Sequence, residues 1–103
     1  MKTLERLQEQ LSAGQFEFSQ HAFKRAVERN ISELEIRQAG EHAEIIEDYP
    51  TDKYSPSCLL LGFAESGRSL HIHVSRMDSD LVKIITTYEP NATEWTDNFS
   101  KRR

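Results

Sequence analysis

The hydrophobic pattern of the chain changes period once, near Ala43, and this change limits the folds that are open to it. Before that point apolar residues recur at helical spacing, as Leu4, Leu7 and Leu11 do at i, i+3 and i+7. After that point apolar and polar residues alternate, which is typical of strands with one buried face. The sequence therefore predicts one α+β domain over residues 1–103, with N-terminal helices packed on one face of a sheet.

Capping residues set the boundaries of the second and third predicted helices. Ser19 can cap a helix over about residues 20–29, and Asn30 suits the left-handed conformation that ends it. Ser32 and Glu35 have the spacing of a capping box, which opens a third helix. Both signals are local and independent of the rest of the fold.

Three segments are less regular. Residues 1–15, which hold the first helix, are the least constrained, and Phe16 and Phe18 alternate with polar residues as a brief extended link. Trp95 would return to the core after the last strand. Residues 97–103 are expected to be a frayed tail.

Four strands are predicted in the second half of the chain. Their sequences are EIIEDY, SCLLLGFAE, SLHIHVSRM and LVKIITTY. A two-residue turn at Ser66-Gly67 would join the second and third strands so that apolar residues face apolar residues. The predicted pairs are Phe63 with Leu70, Leu61 with Ile72, and Leu59 with Val74. The expected sheet is a four-stranded antiparallel meander.

The charge of the chain is acidic but unevenly distributed. There are 13 Lys and Arg residues against 17 Asp and Glu residues, a formal net charge of -4. Residues 33–53 carry seven acids and two bases, a net of -5, so the rest of the chain is near +1. This balance opposes broad electrostatic binding of nucleic acid but leaves room for a local phosphate site.

Cysteine usage and hydropathy favour a cytoplasmic protein without a cofactor. Cys58 is the single cysteine, which excludes an internal disulfide and a cysteine metal cluster. No apolar run approaches the roughly 18 residues of a membrane span. The first residues alternate charge with leucine and lack the apolar centre of a signal peptide.

The second helix carries the first group of candidate site residues. His21 and Arg25 are four residues apart and Arg29 continues the stripe, so the three share one face. A histidine beside an arginine can transfer a proton and hold a phosphate oxygen. A solvated helix face would show the same spacing. The other side of this helix is expected to pack into the core through Phe23, Ala26 and Val27.

The third strand carries the second group. His71 and His73 lie on one side of the strand, where they would act as acid and base, as metal ligands, or as polar residues of an exposed face. No further residues have the spacing of a metal site. With a two-residue turn at Ser79-Asp80, Thr86 and Tyr88 would face the histidines, whereas a three-residue turn would place them against the core. The sequence leaves this open.

Several motifs together resemble a known family. They are Ser19-x-His21-Ala22-x-x-Arg25, Pro56-Ser57-Cys58, Leu70-His71, and Ile85-Thr86-x-Tyr88-Glu89-Pro90 followed by Trp95. In this order they resemble a bacterial family known as domain of unknown function 4258, over roughly residues 16–99. That family is in turn distantly similar to toxin ribonucleases of the RelE and BrnT type, which have helices followed by a curved antiparallel sheet.

The resemblance implies a metal-independent endoribonuclease of a toxin–antitoxin pair, which cleaves RNA by attack of the 2'-hydroxyl. It also implies a small zinc-finger antitoxin-like partner. In this reading His21 is an acid or base, Arg25 clamps the phosphate, and His71 makes the second proton transfer. The substrate would be oriented by Arg29, Thr86 and Tyr88. His73 is a further candidate for binding the substrate, on the basis of its position beside His71 and not of the resemblance.

Two other hypotheses compete with the ribonuclease. The acidic total favours a non-enzymatic module that binds a protein through the sheet face or through residues 33–53. A metal-binding protein that uses His71 and His73 is the third hypothesis. Whether His21, Arg25 and His71 converge in one site decides between the first hypothesis and the others.

Overall fold

The computed structural model describes residues 1–103 and confirms an α+β architecture. Three helices are followed by the four predicted strands, and three further short strands are present. In chain order the elements are α1 (Leu4–Ser12), β1 (Phe16–Phe18), α2 (Gln20–Glu28), α3 (Glu33–Glu41), β2 (Glu44–Tyr49), β3 (Ser57–Phe63), β4 (Ser69–Ser75), β5 (Val82–Tyr88), β6 (Trp95–Thr96) and β7 (Lys101–Arg102).

The helix boundaries follow the local capping signals. The Ser19 hydroxyl accepts from the backbone N–H of Ala22 at the start of α2. Ser32 and Glu35 form the complete capping box of α3, and Asn30 has the left-handed φ of 54° between the two helices. Each helix has nine residues, and none has the length and apolar character needed to cross a bilayer.

The sheet has five strands, in the order β1-β5-β4-β3-β2. β1 runs parallel to β5, with Phe16 opposite Val82 and Phe18 opposite Ile84, while the other pairs are antiparallel. The prediction of a four-stranded antiparallel meander is therefore wrong in its strand count and in its edge. Three residues show too little alternation to distinguish a strand from a link, and their partner lies far along the chain.

The register predicted for the β3–β4 hairpin is wrong by one residue. The connection spans residues 64–68, and the Ala64 N–H donates to the Arg68 carbonyl at 2.9 Å, which displaces the expected two-residue turn. Phe63 therefore faces Ser69 instead of Leu70. The other observed pairs are Gly62 with Leu70, Leu61 with His71, Leu60 with Ile72, Leu59 with His73, and Cys58 with Val74.

Close packing of α3 against β3 explains which face of the strand is turned toward the helices. A Cβ at Gly62 would overlap the Ala39 carbonyl, so only a glycine lets the helix approach the strand this closely. Cys58 and Leu60 share the face of Gly62 and are fully buried. Hydrophobic alternation could not reveal this choice, because Leu59 and Leu61 on the other face are apolar as well.

The main core lies between the helices and this face of the sheet, as a cluster of 15 buried residues. α2 contributes only Ala22 and Ala26 to it. The prediction that Phe23 and Val27 pack into the core is wrong, since they are 58% and 64% exposed. Small alanine side chains let α2 lie close against β5, and this orientation turns the larger apolar residues outward.

Candidate functional site

The face of the sheet that carries no helix holds three clefts of about 650, 410 and 310 Å³. We call the largest the central cleft. Its lining comes from β2 to β5, the loop after β2 and the C-terminal end: Asp48, Tyr49, Pro50, Thr51, Asp52, Leu59, His73, Thr86, Tyr88 and Arg102. Candidate residues from distant parts of the sequence therefore meet on this face.

A β-bulge in β5 brings Thr86 and Tyr88 to the histidine face. His71 pairs with Tyr88 and His73 pairs with Thr86, but the next residue, Val74, pairs with Ile84. Because of the extra residue, Ile84 faces the main core before the bulge, while Thr86 and Tyr88 face the histidines after it. The alternative left open by the sequence is thus decided in favour of a shared face, through a bulge and a longer connection instead of a two-residue turn.

His73 is held by a chain of hydrogen bonds that fixes its tautomer. Its Nε2 lies 2.9 Å from the Ser57 hydroxyl, which donates to the Asp52 carboxylate at 2.7 Å. Because the hydroxyl has one proton and gives it to the carboxylate, Nε2 must carry the hydrogen of the neutral ring. The Nδ1 lone pair of His73 has no hydrogen-bond partner in the chain.

The electrostatics of the cleft keep His73 neutral. Burial lowers the pKa of His73, and the nearby Asp52 charge opposes this only in part. The Tyr49 ring packs edge-on against the imidazole, with 5.6 Å between ring centroids. His73 is therefore a half-buried, neutral imidazole at the wall of a cleft, with a free ring nitrogen that can accept a proton.

His71 is differently placed, although it is on the same strand and face. It is fully buried, and its Nε2 lies 2.8 Å from the Phe99 carbonyl. A carbonyl only accepts, so Nε2 carries the hydrogen and Nδ1 accepts from the Tyr88 hydroxyl at 3.1 Å. Burial lowers the pKa of His71 and keeps it neutral. Neither ring nitrogen is left for a substrate.

Residues 95–103, which we call the C-terminal segment, cover His71. The sequence predicts a frayed tail at residues 97–103, yet β6 pairs with β7, and Trp95 packs edge-on against His71 at 4.4 Å between centroids. Trp95 is thus buried on the face opposite the main core, and the prediction that it returns to that core is wrong. The turn uses left-handed backbone at three consecutive residues, Asp97, Asn98 and Phe99.

The C-terminal segment also carries a cation to the rim of the central cleft. The Arg102 guanidinium lies 2.7 Å from the Glu47 carboxylate and 4.7 Å from the Trp95 ring centroid. The hydrogen bond from Arg102 lowers the pKa of Glu47, and the same contact raises the pKa of Arg102. Burial raises the pKa of Tyr49 and of Tyr88, so both phenols stay protonated at neutral pH.

Of the α2 stripe, Arg29 at the C-terminal end of the helix reaches β5. β1 pairs only with residues 82–84, and beyond them Arg29 donates to the Thr87 carbonyl at 2.8 Å, with 6.0 Å to the Tyr88 ring centroid. His21 and Arg25 precede Arg29 on the same helix flank. His21 is exposed, and Arg25 forms an ion pair with Glu28 at 3.1 Å.

The structure therefore divides the predicted site residues. It brings His73, Thr86 and Tyr88 together in the central cleft and places Arg29 against the Tyr88 ring. It does not bring His21 together with His71, because one is exposed on α2 and the other is sealed beneath the C-terminal segment. The predicted active site of His21, Arg25 and His71 is therefore not formed, and a ribonuclease site would have to use other residues.

Four residues of the cleft escape prediction: Asp52, Ser57, Tyr49 and Arg102. Ser57 stands in one of the quoted motifs, but without a role. Asp52 lies between two of the predicted strands, and Arg102 lies in the segment that the sequence predicts to be a frayed tail. Since their functional partners are in other strands, only the folded chain reveals them.

Neither a cysteine nucleophile nor a metal site is present in the cleft. Cys58 lies in the main core, and burial raises the pKa of its thiol to about 11. A thiol in this environment is inert. No group of three or more His, Cys, Asp or Glu side chains is placed to hold a metal ion.

The fold and the site define a small α+β domain with a polar cleft on the open face of its sheet. A family model described as domain of unknown function 4258 matches residues 18–89, about seven-tenths of the chain. The protein belongs to this family. Comparisons with curated proteins and with solved structures find no match. The matched region includes α2 and β2 to β5, whereas α1 and the C-terminal segment lie outside it.

Proposed function

We propose that the protein is a metal-independent endoribonuclease and that the central cleft is its active site. The observation that carries this proposal is the geometry of His73, whose tautomer leaves an unprotonated, unpartnered Nδ1 on the wall of a cleft large enough for a nucleotide. The resemblance to RelE and BrnT toxins supports the same chemistry. Such cleavage needs a base, an acid and groups that stabilise the phosphate charge.

In the proposed reaction, His73 Nδ1 takes the proton of the ribose 2'-hydroxyl. The 2'-oxygen attacks the adjacent phosphorus, the bond from phosphorus to the 5'-oxygen breaks, and a 2',3'-cyclic phosphate forms. The leaving 5'-oxygen takes a proton from solvent water, since no second histidine lines the cleft beside His73. After the products leave, His73 releases its proton to solvent and returns to its neutral state.

The remaining residues of the site act on charge and orientation. The Thr86 hydroxyl and the Arg102 guanidinium contribute hydrogen bonds to the phosphate oxygens. Arg29 and Arg25 contact the RNA backbone at the edge of β5. His71 positions Tyr88 through the hydrogen bond to its hydroxyl, and in this proposal it transfers no proton to the substrate.

Purified protein is expected to cleave single-stranded RNA in the presence of EDTA and to leave 2',3'-cyclic phosphate and 5'-hydroxyl ends. His73→Ala should reduce the rate by about a hundredfold or more, since proton transfer contributes at least this much. His42→Ala is the matched control, because His42 is exposed and lies outside the central cleft. Equal cleavage by the His73 variant and the wild type would exclude the proposed site.

A second candidate function is the binding of a small protein through α2. Phe23 and Val27 are exposed large apolar residues on the flank away from the His21 stripe, where a soluble helix normally carries polar residues. The antitoxin-like partner implied by the resemblance would cover them. A stoichiometric complex that Phe23→Ser abolishes, together with no RNA turnover by the free protein, would favour this function over catalysis.

A further inference from the structure

We propose that the 410 Å³ cleft beside the central cleft binds the neighbouring nucleotide of a single-stranded RNA, an inference that rests on the proposed function. We call it the side cleft. Asp52 lines both clefts, so the two clefts are neighbours on the open sheet face. An RNA strand in the central cleft can therefore extend past Asp52 into the side cleft.

The spacing along β4 suits consecutive nucleotides. His73 lines the central cleft and Ser75 lines the side cleft, and the two residues point to the same face. Two residues of a strand span about 6.6–6.8 Å. This is the scale of one nucleotide step in an extended single strand, so a phosphate at His73 places the next nucleotide at Ser75.

The walls of the side cleft offer a surface for a base. Tyr54 is 86% exposed and Met77 is 53% exposed, and Ile85, next to the bulge, adds a half-buried apolar surface between them. Large apolar side chains in a cleft that faces water are energetically unfavourable until something covers them. A nucleobase fits, because every base has a flat face that stacks on aromatic side chains.

Charges in the side cleft match the remaining parts of a nucleotide. Lys83 and Glu17 are partners in the β5–β1 pairing, and both line the cleft, yet neither forms an ion pair within the chain. The ammonium group of Lys83 can therefore hold a phosphate. The Glu17 carboxylate can accept from the amino group of a base, which favours guanine, cytosine or adenine over uracil.

The test measures binding separately from cleavage by using oligonucleotides with 2'-O-methyl ribose, which cannot be cut by 2'-hydroxyl attack. The probe is a fluorescein-labelled 2'-O-methyl pentanucleotide, and binding is followed by anisotropy at several salt concentrations. Tyr54→Ala should weaken binding about tenfold through the loss of stacking. Tyr54→Phe, the matched control, should bind like the wild type because the aromatic face is kept.

Lys83→Met tests the phosphate contact in the same assay. It should weaken binding and reduce the slope of log affinity against log salt by about 0.7, the value for one contact to a single strand. Arg6→Met is the control, since Arg6 lies on α1, on the other side of the sheet. An unchanged slope for Lys83→Met would overturn the assignment of this residue.

The results separate the two proposals. If RNA is cleaved while Tyr54→Ala and Lys83→Met bind the probe like the wild type, the side cleft is not a nucleotide site and the ribonuclease proposal stands. If the probe binds with the expected losses but RNA is never cut, the side cleft stands and the catalytic proposal is overturned. No binding of the probe and no cleavage would overturn both.

Discussion

His71 and His73 lie two residues apart on β4 and point to the same face, but their surroundings give them different chemistry. Burial lowers the pKa of both, so both are neutral near pH 7. His71 uses both nitrogens within the protein, whereas His73 uses one and leaves the other toward a cleft. A histidine that is covered and has both ring nitrogens hydrogen-bonded supports the fold. A histidine with one free ring nitrogen facing a cleft is available for catalysis.

The largest difference between the two histidines should appear in stability. His71→Ala leaves a cavity beneath Trp95 and removes the partners of the Tyr88 hydroxyl and the Phe99 carbonyl, which should cost about 3 kcal/mol of unfolding free energy. His73→Ala should cost about 1 kcal/mol, because it opens onto a cleft. Urea denaturation measures both, and equal losses would contradict the contrast.

A second expected effect is a loss of stability in mild acid. In the folded protein both histidines have a pKa below the ordinary value of 6.5, so the unfolded chain takes up protons first as the pH falls. Their contribution is complete above that value and is lost as the pH falls through the folded pKa values. The measurement is the unfolding free energy between pH 8 and about pH 5.

His71→Phe separates this effect from the titration of the carboxylates. The substitution keeps an aromatic ring beneath Trp95 but removes the titrating group, so the loss of stability as the pH falls below the ordinary histidine pKa of 6.5 should become smaller. Free carboxylates titrate at about pH 4, below this range. A pH profile identical to that of the wild type would show that His71 does not contribute.

Ser57→Ala removes the hydrogen-bond partner of His73 Nε2. It should lower the unfolding free energy by about 1 kcal/mol, less than His71→Ala does. Without the hydroxyl, Nε2 loses the acceptor that fixes the tautomer. The side-chain nitrogen shifts in NMR spectra should change from one tautomer to a mixture, and RNA cleavage should fall about tenfold. The NMR readout does not depend on catalysis, and a single unchanged tautomer would contradict the proposed hydrogen-bond chain.

The smallest expected effect concerns Arg102, which lies at the rim of the central cleft in the same C-terminal segment that covers His71. Arg102→Ala removes an ion pair to Glu47 in which the arginine is 62% exposed, so stability should fall by less than about 1 kcal/mol. The rate of RNA cleavage should fall clearly even though the protein stays folded, because the Arg102 guanidinium is proposed to bind a phosphate oxygen of the substrate. Lys101→Ala is the control, since the ammonium group of Lys101 forms its ion pair with Asp97 of the same segment and does not line the central cleft. Equal activity in the two variants would remove Arg102 from the site.

The two histidine environments also show how far the candidate site could be predicted. Alternation along β4 places His71 and His73 on one face, and the structure agrees. Their difference depends on Phe99, Ser57 and Asp52, which lie in other segments and carry no local signal. The sequence could nominate both histidines, but it could not distinguish the sealed one from the open one.

The sequence by itself determined the features that depend on neighbours a few residues apart: the caps at Ser19 and Ser32, the left-handed Asn30, and the change from helices to strands. Tertiary structure alone decided the fifth strand, the hairpin register and the bulge in β5. Each of these depends on a contact between distant segments, such as Gly62 against Ala39. Such a contact stabilises the protein only after the chain has folded, so it cannot be predicted from residues that are close together in the sequence.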